Sequence, residues 1–489
     1  MQVRLIALAA LASCGASHAL TPAQIDAARA AGTLKEVYVA GASAQRLFVG
    51  AWFQEQCKPT TFDVFFNGTG AAPSGSNHRA YSCELNKKVG NWAAGTKVLF
   101  VKRDQGGSTQ GVVPVASGAA QDFMAVDGTC TATGKPSPAT DILNAGFACN
   151  NVFSRLADAG VSDVEPALLN KPVNLLAPAV AVATTSLDVG TINQTVMAVA
   201  VNKKAYRALQ EAQGLIGAGA ALDDDPAKQP SLPRTFVSAA FSGKLSGGTA
   251  DRRGWNVVIP ASVDADVENK QVNVCRRNVG SGTQASFNAE FLNNDCSNVA
   301  GNKLAVLGQT TGTTNSTVVA PTTTAAALGT QWWNLGSGSG NVETCLGSTV
   351  ENAAGTAYAI GVLSRENTPT PTGTTTDKGY RFVKLDGIAP TRDNAKVGAY
   401  GFVYAATMQW NKTTLTDTAV KSFLSQMRSN AGRAASLSIA DVDTQEGVLA
   451  PPTTYSGPYA ALTDAVTLKF ASRVARNTSA SCSPLAIVK

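Results

Sequence analysis

Arg277, Gly280, Ser281, Gly282 and Thr283 fall within eight residues of one another, in the segment Cys275–Leu292. An arginine supplies a planar, permanently charged fork of donors. Serine and threonine add hydroxyl donors, and glycines let a backbone approach a ligand closely. Phe287, Phe291 and Leu292 recur at helical spacing, so a helix is expected to start near Gly282. Its first N–H groups lack intrahelical acceptors and lie at the positive end of the helix dipole, a setting that suits an anion. The chemistry expected is oxyanion capture rather than bond making. Taken alone, the segment reads equally as a capped helix with a surface arginine.

Three more turns have similar composition and follow strand-like runs: Gly41-Ala42-Ser43, Gly107-Ser108-Thr109, and the turn from Ala159 to Asp163. In α/β sheets, ligands gather beyond the carboxyl ends of strands. Asp163 stands out, because a carboxylate repels an anion unless the ligand brings a proton for it to accept. Hydrogen phosphate carries one and sulfate does not.

Other chemistries find little support. The chain has two histidines. His18 lies in an export signal, which leaves only His78 for any Ser-His-Asp triad. Thr109 and Gln110 follow Ser108, so no nucleophile elbow forms there, and no zinc-protease motif appears. Asp223, Asp224 and Asp225 lack EF-hand spacing and read as a solvated turn. Trp332 and Trp333 read as packing. No catalytic residue, metal site or cofactor is expected. The net charge of +6 is spread without a basic run, which argues against nucleic acid.

The elements that must position these turns alternate along the chain. Strand-like runs cover Leu34–Ala40, Thr96–Lys102, Thr195–Val201, Lys270–Val274, Tyr358–Leu363, Tyr380–Leu385 and Tyr400–Met408. Helical patterns follow the first turn (Leu47, Phe48, Ala51 and Trp52), run from Lys203 to about Leu215, and cover Ala419–Met427. The fold class expected is α/β with mixed sheets. Asn67–Asn77, Gln309–Thr330, Gly336–Asn341 and Asn367–Gly379 read as long loops or flexible decoration.

The N-terminus reads as an export signal: Arg4, an apolar run Leu5–Ala12, and a small-residue cleavage site ending at Ala19. A lipoprotein-type site before Cys14 is the rival reading, and either places the chain in the periplasm or outside the cell. The nine cysteines less Cys14 leave eight, an even number that suggests four disulfides in an exported protein. Cys57–Cys83 and Cys130–Cys149 are plausible local pairs, and the other connectivities stay open.

The order of the turns resembles that of the phosphate-binding proteins of bacterial phosphate ABC transporters, in the type II periplasmic-binding-protein superfamily. That family opens with a strand into G-A-T/S, similar to Gly41-Ala42-Ser43. Its Gly-Ser-Ser/Thr-x-Gly turn is similar to Gly107–Gly111, and its G-A-S-D turn to Ala159–Asp163. Val196–Asn202 resembles a crossing strand, Ala240–Leu245 an I-F-x-G-K-I segment, Arg276–Thr283 the R-R-x-D-G-S-G-T motif, and Val420–Leu424 a V-x-x-F-L helix. The resemblance implies a two-lobed fold with crossing hinge strands. The lobes would comprise residues 20–194 with 397–489, and 195–396, after a signal at 1–19. It implies a phosphate or similar oxyanion ligand held by Ser43, the Ala44 N–H, Ser108, Thr109, Asp163, Arg277, Ser281, Gly282 and Thr283. It also implies a binding protein rather than an enzyme, with an ABC permease as partner. Two departures stand out: Ala44 replaces the family's aromatic, and Val279 replaces an acid that can brace the arginine, so Arg277 is expected to be less well oriented. With the long loops, they leave a second reading: an exported interaction protein that keeps the fold without transport.

Overall fold

The computed structural model describes residues 19–175, 181–245, 254–293, 331–347, 357–370, 376–439, 446–476 and 483–489. The export signal with Cys14, the segment Gln309–Thr330, Cys296 and Cys482, and the side chains of Trp332 and Trp333 lie outside the described residues.

A mixed sheet of fourteen strands among the described residues organises the α/β fold. Its principal strands are β1 (Leu34–Gly41), β2 (Asp63–Asn67), β3 (His78–Glu84), β4 (Lys97–Arg103), β5 (Ala159–Ser162), β6 (Leu187–Asn202), β7 (Gln271–Arg277), β8 (Gln331–Gly336), β9 (Ala357–Ser364) and β10 (Val403–Asn411). Their spatial order is β8-β7-β9-β6-β10-β5-β1-β4-β3-β2. The continuous apolar runs of β1 and β4 fit strands covered on both faces.

Register explains why the sequence-distant turns meet. β1 runs parallel to β4, with Ala40 opposite Arg103, and parallel to β5, with Gly41 opposite Val161. The turns after these strands therefore leave from one edge at one level. In the other half β7 is parallel to β8 and β9, with Arg277 opposite Gly336.

β6 belongs to both halves. Leu187–Val196 pairs antiparallel with β10, and Met197–Val201 pairs antiparallel with β9. This is why the strand expected at Thr195–Val201 extends back to Leu187. The expected strand at Tyr380–Leu385 is split instead. Tyr380–Phe382 pairs with β6, while Lys384–Leu385 turns away to pair with Ser231–Leu232.

Helices cover the sheet in two large cores. One packs α1 (Arg46–Glu55) and α5 (Thr418–Asn430) on the β1–β4 region through Phe48, Trp52, Phe53, Phe100, Phe423 and Met427. The spacing of Val420, Phe423, Leu424 and Met427 in α5 is that of one buried helical face, and Asp417 caps its first amides. The other core packs α2 (Lys203–Ala212), the helix Arg234–Phe241 and α3 (Gly282–Leu292) around β6, β7 and β9. α2 stops short of Leu215 because Gly214 turns left-handed, with a φ of 67°, and the Leu215 N–H returns to the Gln210 carbonyl.

The disulfides Cys57–Cys83 and Cys130–Cys149 form as expected, and Cys275 pairs with Cys345. Gly336–Asn341, expected as flexible decoration, is instead structured: Gly336 ends β8 and Ser339 starts α4 (Ser339–Gly347). The three consecutive aspartates form a turn held by ion pairs, Asp223 to Lys228 and Asp224 to Arg381. Among the described residues no group of three His, Cys, Asp or Glu side chains is arranged to hold a metal ion, and no helix is long and apolar enough to cross a membrane.

Candidate oxyanion site

The first turn is seated by β5. The Ala42 N–H donates to the Val161 carbonyl at 3.0 Å, and a Cβ on Gly41 would stand 2.0 Å from that same oxygen, so only glycine fits. Ser43–Gln45 then forms one 3-10 turn that runs into α1 at Arg46. Lys102, buried at the end of β4, ties this turn to the next: its ammonium reaches the Gly41 and Ala42 carbonyls at 3.1 and 3.3 Å and Asp104 Oδ1 at 2.7 Å. Burial lowers the Lys102 pKa, and Asp104 opposes that shift.

Ser108 opens a second 3-10 turn, Ser108–Gly111, and is fully buried. Its Oγ donates to Asp163 Oδ2 and accepts from the Asp163 N–H, both at 3.2 Å. Asp163 Oδ1 accepts from Gln45 Nε2 at 3.0 Å, and Gln45 also reaches Thr195 Oγ1 at 3.3 Å. Both carboxylate oxygens are thus held by neutral donors. Burial raises the Asp163 pKa, opposed by the Gln45 bond and by the nearby charge of Arg277.

From the other half, Arg277 ends β7 and Ser281 caps α3, its Oγ accepting from the Gln284 N–H at 3.3 Å. Gly282 and Thr283 follow as the first two helical residues, whose amides have no intrahelical acceptor. The Gly280 carbonyl accepts from both Thr109 N–H (3.0 Å) and Thr109 Oγ1 (2.8 Å), joining the halves directly. Gly282 lies so close to the first half that an added Cβ would sit 2.4 Å from Ser108 Oγ and 2.7 Å from Asp163 Cβ.

Arg277 is buried and donates from Nη2 to the Ser337 carbonyl at 2.9 Å and from Nη1 to Ser339 Oγ at 3.3 Å. Its buried Nε has no partner among the described residues. Burial lowers its pKa to about 10, with Asp163 and Glu366 opposing, so it remains charged at neutral pH. The poor orientation expected from Val279 is therefore corrected: neutral acceptors from the β8–α4 turn stand where a carboxylate was looked for.

Ser108, Thr109, Asp163, Arg277, Ser281, Gly282 and Thr283 thus come together. Ser43, half-buried, and Ala44 share the turn that approaches them, but Gln45 is the residue of that turn that reaches Asp163. Sequence reasoning missed Gln45, Arg46, Lys102, Glu366, Ser337 and Ser339. Gln45 and Arg46 carried a signal, being polar residues directly behind Ser43 and Ala44. Lys102 and Glu366 carried none, since only the fold shows a charge to be buried. Arg46 matters most, because its Nε is also buried without a partner among the described residues.

Glu366 follows β9 and faces Arg46, Asp163 and Asp104. Burial raises its pKa from 4.5 to about 8, with Arg46 opposing. The unfolded chain releases this proton near 4.5 and the folded chain near 8. Glu366 therefore costs stability progressively as pH rises between those values and in full above them. Glu366→Gln should raise the melting temperature by several degrees at pH 9, with the gain vanishing near pH 4. Equal shifts at both pH values in thermal unfolding would refute this assignment.

No protein-family model and no curated protein sequence matches the chain. Solved structures similar to it include a phosphate-bound protein from Clostridium perfringens described as a phosphate ABC transporter substrate-binding protein. It is 13% identical, with a TM-score of 0.40, and the match covers 84% of this chain and 99% of that one. Another is PstS from Borrelia burgdorferi, at 10% identity and a TM-score of 0.30, covering 83% of this chain and 96% of that one. A third is an ABC-type phosphate transport receptor from Vibrio cholerae, at 14% identity and a TM-score of 0.28, covering 58% and 78%.

Proposed function

We propose that the chain binds inorganic phosphate, or a closely similar protonated oxyanion, between its two halves. Residues 20–194 with 397–489 would form one lobe and 195–396 the other. The observation that carries this reading is the meeting of Asp163 and Arg277, one from each half, across Gly282 and the buried Ser108 hydroxyl. A guanidinium, first-turn helix amides and hydroxyls supply donors. The Asp163 carboxylate supplies the acceptor that a hydrogen phosphate needs and that a sulfate cannot satisfy. Arg46 joins the donors as a second guanidinium with a free buried N–H. Donors from both halves facing one acceptor carboxylate suit capture of an anion. The working setting would be the periplasm or cell exterior, with delivery to an ABC permease as the biological use.

Calorimetry of the mature protein should show saturable binding of one phosphate per chain and much weaker binding of sulfate. Absence of saturable phosphate binding overturns the proposal. Asp163→Asn should narrow the preference for phosphate over sulfate by roughly tenfold or more, because an amide can donate to the unprotonated anion. An unchanged preference removes Asp163 from that role.

A further inference from the structure

We infer that the turn Ser337–Asn341, fastened to β7 by the Cys275–Cys345 disulfide, is a positioning device for Arg277; this rests on the phosphate-binding reading. Arg277 and Gly336 are register partners at the ends of neighbouring parallel strands, and the Asn278 N–H donates to the Gly336 carbonyl at 2.9 Å. The chain leaving β8 therefore passes directly beside the guanidinium, where the Ser337 carbonyl and Ser339 Oγ accept its two Nη groups.

The turn is itself held. Asn341 Oδ1 accepts from the Gly338 N–H at 2.9 Å and lies 3.1 Å from Ser337 Oγ, so one amide side chain fixes the loop that presents both acceptors. A Cβ on Gly336 would stand 2.8 Å from Asn341 Cβ, which shows how tightly the turn folds over the strand end. Beyond it, α4 is bolted down: Cys345 bonds to Cys275, two residues before Arg277. Gly361 of β9 lets α4 settle on the sheet, since a Cβ there would come within 3.2 Å of Val342 and Leu346. Glu343 anchors the far side through Lys378 and Tyr380, each at 2.7 Å.

The arrangement has a chemical consequence. Both Nη groups are held by neutral acceptors, so the fork is ordered before ligand arrives without a bonded carboxylate consuming its charge. Ordering a long side chain in advance removes part of the entropy cost of binding, and Nε is left free for an anion.

Phosphate calorimetry on Asn341→Ala, on Ser339→Ala and on the double variant Cys275→Ala/Cys345→Ala tests this. Each should weaken phosphate binding by about tenfold. In the Arg277→Lys background, which lacks the fork, the Ser339→Ala and Asn341→Ala penalties should disappear. A loss that persists there, or affinities within twofold of the parent, overturns the inference. Nitrogen-15 spectra of the arginine side chains give a readout that needs no ligand. The Arg277 Nη signals should be resolved in the parent and averaged by rotation in Ser339→Ala and Asn341→Ala. If they are averaged in the parent too, the brace does not exist. Should the parent bind no phosphate, the functional reading fails, and the spectra still decide the brace.

Discussion

Gly282→Ala should cost phosphate affinity about a hundredfold or more, because a displacement near 1 Å in a positioned site has effects of that size. The added Cβ would lie 2.4 Å from Ser108 Oγ, 2.7 Å from Asp163 Cβ and 2.9 Å from Asp163 Oδ2. Ser108 cannot easily yield, since its Oγ both donates to and accepts from Asp163. Asp163 is held in turn by Gln45. The halves must therefore part, and the two bonds from Thr109 to the Gly280 carbonyl should lengthen with them. The start of α3 itself does not object to alanine, which helices favour over glycine by about 1 kcal/mol. Thermal stability should fall far less than affinity. Calorimetry and thermal unfolding on the same preparation separate the two, and phosphate binding within threefold of the parent would refute the close approach.

Arg277→Met should be at least as damaging to binding, by about two to three orders of magnitude, the usual consequence of deleting one partner from a buried, hydrogen-bonded charge pair. It removes the main positive charge facing Asp163 and strands the acceptors at Ser337 and Ser339. The effect on the free protein should be of a different kind. Burial lowers the Arg277 pKa, which means the folded chain bears a desolvation cost to keep the group charged. Methionine fills similar volume without that cost, which partly offsets the uncompensated Asp163 and the stranded acceptors, so the melting temperature without ligand should fall only modestly. A variant that loses stability in proportion to affinity would mark Arg277 as structural rather than ligand-binding.

The strands and helices were legible where local pattern decides them. The apolar run into Gly41 made β1, and the spacing of Val420, Phe423, Leu424 and Met427 made one face of α5. The four glycine- and hydroxyl-rich turns were legible as chemistry, because composition alone marks donors. What could not be read was anything set by long-range pairing. Glu366 lies at the site because β9 hands the chain to a segment beside Gly447, whose added Cβ would be 2.2 Å from the Glu366 nitrogen. Ser337 and Ser339 looked like spacer residues because their task depends on Arg277 and Gly336 being register partners. Val279 suggested a loosened arginine for the same reason: its replacement brace comes from a strand 54 positions further on, at Gln331 rather than Arg277.

The sixteen residues of β6 change partners between Val196 and Met197, with no flexible tether between the halves on that path. Such a strand is roughly 50 Å long, at about 3.3 Å per residue. The change of partner leaves Leu187–Val196 on one side and Met197–Asn202 on the other, arms of roughly 33 Å and 20 Å. A bend of about ten degrees there would swing the end of the longer arm by roughly 6 Å, more than the width of a phosphate ion. Ligand entry would thus need only a small flexure in one lever, and the speed of exchange would be governed by the stiffness of that strand.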